Sequence, residues 1–361
     1  MKLLLRWGSG LLILIFGLSS SALAAKFFPA NDSCIKYFGR WDMADSLHPR
    51  HSWPGIFIET GFYGDSIGVR MNDTVNYYDV YIDGELRPVL HGNKAGDADY
   101  ILADSLGSGR HLLRFSQRNI SFGIYSFSGI LLADSGSLCP PPAPPVRKIE
   151  FIGDSFTAAE GNEAKDSVMQ WEAKFPVTDI DSGFAVMVAQ HYNAQYHIIA
   201  RSGIGTVCDW QGKFDISMQQ YYDRTLMESS EPKWDFKRWT PDLVVVCLGL
   251  NDYSGLKEKS GKVSQENSLI FRRDYHKLLS LIRREYPGVS IIAVSPPVKW
   301  IERNVERVVN EEHSQKRHDI YFTHFDFYPG GYVANGHPSV STHRKIADVI
   351  IKKIESSGLI R

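Results

Sequence analysis

Ser155, Gly203, Asn251 and His337 are the residues of this chain whose types and order would serve one reaction. A serine hydroxyl is a poor nucleophile until a neighbouring base removes its proton. An imidazole that titrates near neutrality can take that proton and return it to a leaving alcohol. Ser155 closes the triplet Gly153-Asp154-Ser155, and His337 opens His337-Pro338 ahead of an expected terminal helix. Backbone N–H of Ser155 and Gly203 and the side-chain amide of Asn251 are the expected donors to an oxyanion, each worth about 3 kcal/mol of transition-state stabilisation in such sites. Gly205 is an alternative to Gly203. Each block alone has a plainer reading: a helix cap for Ser155, a turn for Gly203, an Asx-type turn for Asn251. Their order is what points to acyl transfer from an ester. That chemistry calls for no metal and no cofactor, and the sequence offers neither: the cysteines are scattered and the histidines lack ligand spacing.

The elements that must position these residues follow from hydrophobic patterning. Before Cys139, short apolar runs alternate with turn signals: Gly55–Thr60, Ser66–Met71, Tyr77–Ile82, His111–Phe115 and Phe127–Leu132, with Asp83-Gly84 as a hairpin turn. This spacing predicts an antiparallel β-sandwich over 25–139. The proline-rich stretch 140–147 admits neither helix nor central strand and reads as a stiff connector. From 148 to 361 strands and helices alternate, the mark of a parallel sheet with helices on both faces. Expected strands are Ile149–Ile152, His197–Ala200, Leu243–Leu248 and Val289–Val294, and expected helices lie at Phe184–Tyr192, Phe271–Tyr286 and the C-terminus. Ligands of such sheets bind at the C-terminal strand ends, where this reading puts three of the four blocks.

Composition narrows the class. Lys2 and Arg6, the apolar run Leu11–Leu18 and Ala22-Leu23-Ala24 read as an export signal over 1–24, so the expected location is periplasmic or secreted, without a stable membrane anchor. The formal charge is −1, and −3 once Lys2 and Arg6 are removed, which argues against nucleic acid as a partner. Cys34 and Cys139 bracket the N-terminal half; Cys208 and Cys247 read as buried thiols.

The blocks resemble the SGNH, or GDSL, hydrolases, with Ser155, Gly203, Asn251 and His337 matching the four named positions. Phe151–Thr157 with Glu160-Gly161-Asn162, Ser202–Gly205, Gly39-Arg40-Trp41, Trp53-Pro54-Gly55 and Val80–Gly84 further resemble carbohydrate esterase family 2. That resemblance implies a jelly-roll β-sandwich on an SGNH-type (flavodoxin-like) domain and removal of O-acetyl groups from plant-type polysaccharides or oligosaccharides. Two positions depart from the pattern. Many SGNH enzymes carry Asp three residues before the histidine, where this chain has Ala334; family 2 members are known to work with a Ser–His dyad, and a backbone carbonyl can hold Nδ1–H. Asp326 is a distant candidate for a third member. Gly336 stands where relatives often carry a sugar-contacting aromatic, leaving Trp210 and Trp300 as candidate substrate contacts. The same site would also suit a glycan O-acetyltransferase, and a non-catalytic glycan-binding protein is the reading from a different class.

Overall fold

The computed structural model describes residues 25–360; the expected export signal lies outside the described residues. Residues 25–139 form two antiparallel sheets. One holds Ala25–Pro29, Arg50–His51, Ile67–Asp73, Lys94–Ala103 and Tyr125–Ala133; the other is built on Phe57–Tyr63, Tyr77–Ile82 and Arg110–Gln117 with shorter strands at its edges. Alternate side chains of these strands turn inward, so Ile58, Phe62, Val69, Met71, Val80, Leu113, Phe115 and Ile130 fill the space between the sheets. The Asp83-Gly84 turn joins strands paired with Ile82 opposite Glu85.

The second half carries a five-stranded parallel sheet of Arg147–Gly153, Ala194–Ala200, Leu243–Cys247, Ser290–Ser295 and Ile320–His324 in the order second, first, third, fourth, fifth. Leu243–Cys247 is buried along its whole length, as its unbroken apolar run requires of a central strand. The helix Phe184–His191 packs with Val340–Ser357, and Gln265–Glu285 with Lys299–Ser314. Register sets up the site: Gly153 pairs with Ala200 on one side and Cys247 on the other. Three loops therefore leave the sheet at one level, beside the point where the strand order reverses.

The halves share a core, since Phe38, Trp53, Phe57 and Ile120 join the apolar cluster of the parallel sheet. Fully buried Arg40 crosses the seam, donating to Glu150 Oε1 at 3.2 Å and to the carbonyl of Tyr222, while Tyr222 Oη donates to Glu150 Oε2 at 2.7 Å. Arg114 spans it again with a two-pronged pair to Asp181 at 2.5 and 2.9 Å. Removing one partner of such a buried pair strands the other charge at a cost of about 3–5 kcal/mol. The seam thus fixes how sandwich residues meet the cleft.

Candidate active site

Ser155 lies two residues beyond the first strand. No helix follows it, contrary to the capping reading; residues 154–163 run as successive turns, with Ala158 N–H donating to Asp154 O at 3.0 Å and Glu160 N–H to Ser155 O at 3.0 Å. Asp154 is buried and turns its carboxylate inward, where Oδ1 accepts from Phe156 N–H at 3.0 Å and Oδ2 from Asn251 Nδ2 at 3.2 Å. Burial pushes its carboxyl up to about 7, helped by the nearby Asp252 and Glu160.

The second and third loops are tied together. Asp252, fully buried, accepts from the N–H of Thr206 at 2.8 Å and Val207 at 2.6 Å, so the residue after Asn251 holds the loop after Gly203. Gly205 presses against that carboxylate: a Cβ there would meet Asp252 Cγ at 2.7 Å. Packing, not the cleft, accounts for Gly205. Gly203 does face the cleft. Its φ of +79° is left-handed, and a Cβ would meet the Trp210 ring at 2.9 Å, so glycine is required twice over. Asn251 Nδ2 donates to Ile204 O at 2.8 Å as well as to Asp154.

His337 comes last, just ahead of Ser339, whose hydroxyl caps the helix Val340–Ser357. Its Nδ1 lies 2.6 Å from Ala334 O, a neutral acceptor in place of a carboxylate. Its ring packs 5.7 Å from that of Phe156, the residue after Ser155. Asp326 is exposed on a preceding loop, and Nδ1 is already engaged by Ala334, so Asp326 is no third member.

Ser155, Gly203, Asn251, His337 and Trp210 line one cleft of about 670 Å³. Trp210 stands 57% exposed at its mouth. Trp300 does not reach it: Nε1 donates to Ser268 Oγ at 2.9 Å and the ring packs on Phe271 and on the cleft residue Tyr253. Two further walls had no role in the sequence reading. Phe122, from the sandwich, stacks on Trp171 at 5.0 Å beneath the Arg201 guanidinium. Buried Glu160 pairs with Lys174 Nζ at 2.5 Å, accepts from Ser202 Oγ, and lies 3.7 Å from His337 Nε2. Glu160 stood in a quoted motif; its partner, on a separate turn, carried no spacing signal.

His343, one helical face behind the site, is fully buried and accepts from Phe184 N–H at 3.2 Å. Burial, and then the neighbouring His337, pull it down to about 3. A native value below the unfolded 6.5 gives stability that is present above 6.5 and lost as pH falls toward 3. In urea melts, the stability advantage of the native protein over His343→Gln should therefore shrink by about 2 kcal/mol between pH 6.5 and 5. Asp154 and Asp252 titrate in the opposite sense but are common to both proteins and cancel.

A parallel sheet carrying these loops at its C-terminal edge is the architecture of the GDSL-like class: residues 151–343 match the GDSL-like Lipase/Acylhydrolase family and residues 37–142 the Carbohydrate esterase 2 N-terminal family. The chain superposes on a family two carbohydrate esterase from Clostridium thermocellum in complex with cellohexaose, with a TM-score of 0.81 and 30% identity over 90% of this chain and 99% of that one. It is 30% identical over 89% of its length to cellulase/esterase CelE of Acetivibrio thermocellus, of which it spans 39%. It is also 33% identical to an acetylxylan esterase / glucomannan deacetylase of Cellvibrio japonicus over 56% of each chain. The chain belongs to carbohydrate esterase family 2.

Proposed function

We propose that this chain is an exported esterase that removes O-acetyl groups from xylan- or glucomannan-type polysaccharide through an acetyl-Ser155 intermediate and a Ser155–His337 dyad. The observation that carries this reading is the convergence of Ser155, Gly203, Asn251 and His337 on one cleft. Because Nδ1–H is spent on Ala334 O, the neutral imidazole keeps a lone pair on Nε2. Ser155 Oγ attacks the acetyl carbonyl carbon while Nε2 takes its proton. The tetrahedral oxyanion is held by the N–H groups of Ser155 and Gly203 and by Asn251 Nδ2, which releases its longer bond to Asp154. Collapse breaks the bond to the sugar oxygen, which leaves with the proton from His337. Water, deprotonated by the same nitrogen, then frees acetate and restores Ser155.

A sugar-chain ligand is supported by the cellohexaose bound to the Clostridium thermocellum relative. Export is supported by the charged start, apolar run and small-residue site over 1–24; no helix among the described residues is long and apolar enough to cross a membrane. The test is acetate release from acetylated xylan and acetylated glucomannan. Release from neither removes the reading. Trp210, projecting at the cleft mouth, supplies a stacking face for sugar. Trp210→Ala should raise KM for the polymer about 5-fold, on the order of 1 kcal/mol, while p-nitrophenyl acetate turnover stays within twofold. Equal losses on both substrates would assign Trp210 to the loop rather than to sugar.

A further inference from the structure

His337 is oriented by a piece of backbone that is itself held from outside its own loop. Three successive residues before it are left-handed: Ala334 at φ +34°, Asn335 at +64° and Gly336 at +87°. Side-chain-bearing residues rarely adopt this region, and asparagine tolerates it better than most. The turn aims the Ala334 carbonyl at His337 Nδ1. Ala334 has no side-chain handle to hold it there; its Cβ is buried against Gly161.

The holding groups lie on the segment 166–169. Ala334 N–H donates to Asp166 O at 2.9 Å and Asn335 N–H to Ser167 O at 2.7 Å. The Asn335 side chain closes both remaining positions, accepting from Met169 N–H at 2.9 Å and donating to Met169 O at 2.8 Å. A carboxamide that meets both the N–H and the C=O of one residue, through its acceptor and its donor, fixes orientation as well as distance. Asn335 also stands at the rim of the cleft, two residues from the imidazole.

We propose that Asn335 is the positioning residue of His337: clamped on the Met169 backbone, it locks the left-handed turn whose carbonyl holds Nδ1–H, the task that an aspartate side chain performs in a triad. This rests on the dyad reading above. It also means that the base is braced by the segment that leads on from the Ser155 turns, so nucleophile and base are referenced to one stretch of chain.

Asn335→Gly is the discriminating variant, because glycine keeps the left-handed backbone and removes only the clamp. Asn335→Asp keeps the acceptor for Met169 N–H and loses the donor. On p-nitrophenyl acetate, Asn335→Gly should lower kcat 10- to 100-fold with KM within twofold, and Asn335→Asp should fall between it and the native protein. In Ser155→Ala protein, the low-field proton signal of His337 Nδ1–H should be present, and should be lost by exchange broadening once Asn335→Gly is added. A native kcat in Asn335→Gly, or a signal that survives it unchanged, overturns the proposal. Because the proton signal needs no turnover, its loss in a protein that releases no acetate would uphold the positioning role and reject the esterase reading instead.

Discussion

Ser155→Ala should reduce acetate release by about 10⁵-fold or more, the scale reached when the nucleophile of a serine hydrolase is removed and only oxyanion donors and binding remain. The fold should survive, because nothing in the surrounding turn depends on the hydroxyl. Glu160 N–H bonds to the Ser155 carbonyl, and Asp154 holds Phe156 N–H through its own side chain. The melting temperature should therefore stay within a few degrees of the native value, and binding to acetylated xylan should persist. His337→Ala should cost a comparable factor. The double variant should be little worse than either single one, since a nucleophile and its base act as a unit. Three measurements decide this: the rate, the melting temperature and the double-variant cycle. A Ser155→Ala protein with turnover within tenfold of native would take the nucleophile away from Ser155, whatever else lines the cleft.

How far the sequence foretold this site depends on how local each signal is. Ser155, Gly203 and Asn251 were legible because each follows an apolar strand by two to four residues, and in-register pairing of Gly153 with Ala200 and Cys247 turns that common offset into spatial proximity. His337 was legible from its place before a capped helix. What failed was non-local. Trp300 follows a strand-end loop, as Trp210 follows a motif, but it falls in the first turn of the helix Lys299–Ser314 and faces Phe271. That helix went unread although Ile301, Val305, Val308 and Val309 mark its buried stripe. Leu250–Gly255 is too short to show any period. The Glu160–Lys174 pair and the bracing of Asn335 on Met169 join segments whose approach no spacing rule encodes.

Ala334→Asp, which writes the missing triad member back into the sequence, should weaken the protein rather than improve it. Spacing alone suggests the opposite, since position 334 is three residues before the histidine. The backbone decides otherwise. At φ +34° it is the carbonyl of residue 334 that points at Nδ1, while Cβ is fully buried against Gly161. A carboxylate grown from that Cβ would enter the packed space against Gly161, while Nδ1 is already engaged by the carbonyl of the same residue. It would add negative charge beside Glu160, whose single ammonium partner, Lys174, is already taken. An uncompensated buried charge costs about 3–5 kcal/mol. The variant should lose most of that in urea unfolding at pH 7 and recover part of it as pH falls toward 4, where the new carboxyl protonates. Sign follows from linkage: a carboxyl whose native pKa is raised above the unfolded value is most harmful at high pH. Its kcat should drop along with stability as the left-handed turn is pushed away from Gly161. Should Ala334→Asp instead equal or exceed the native kcat at unchanged stability, the turn must be free to reverse, and residue 334 would then hold His337 through its side chain as an aspartate does elsewhere.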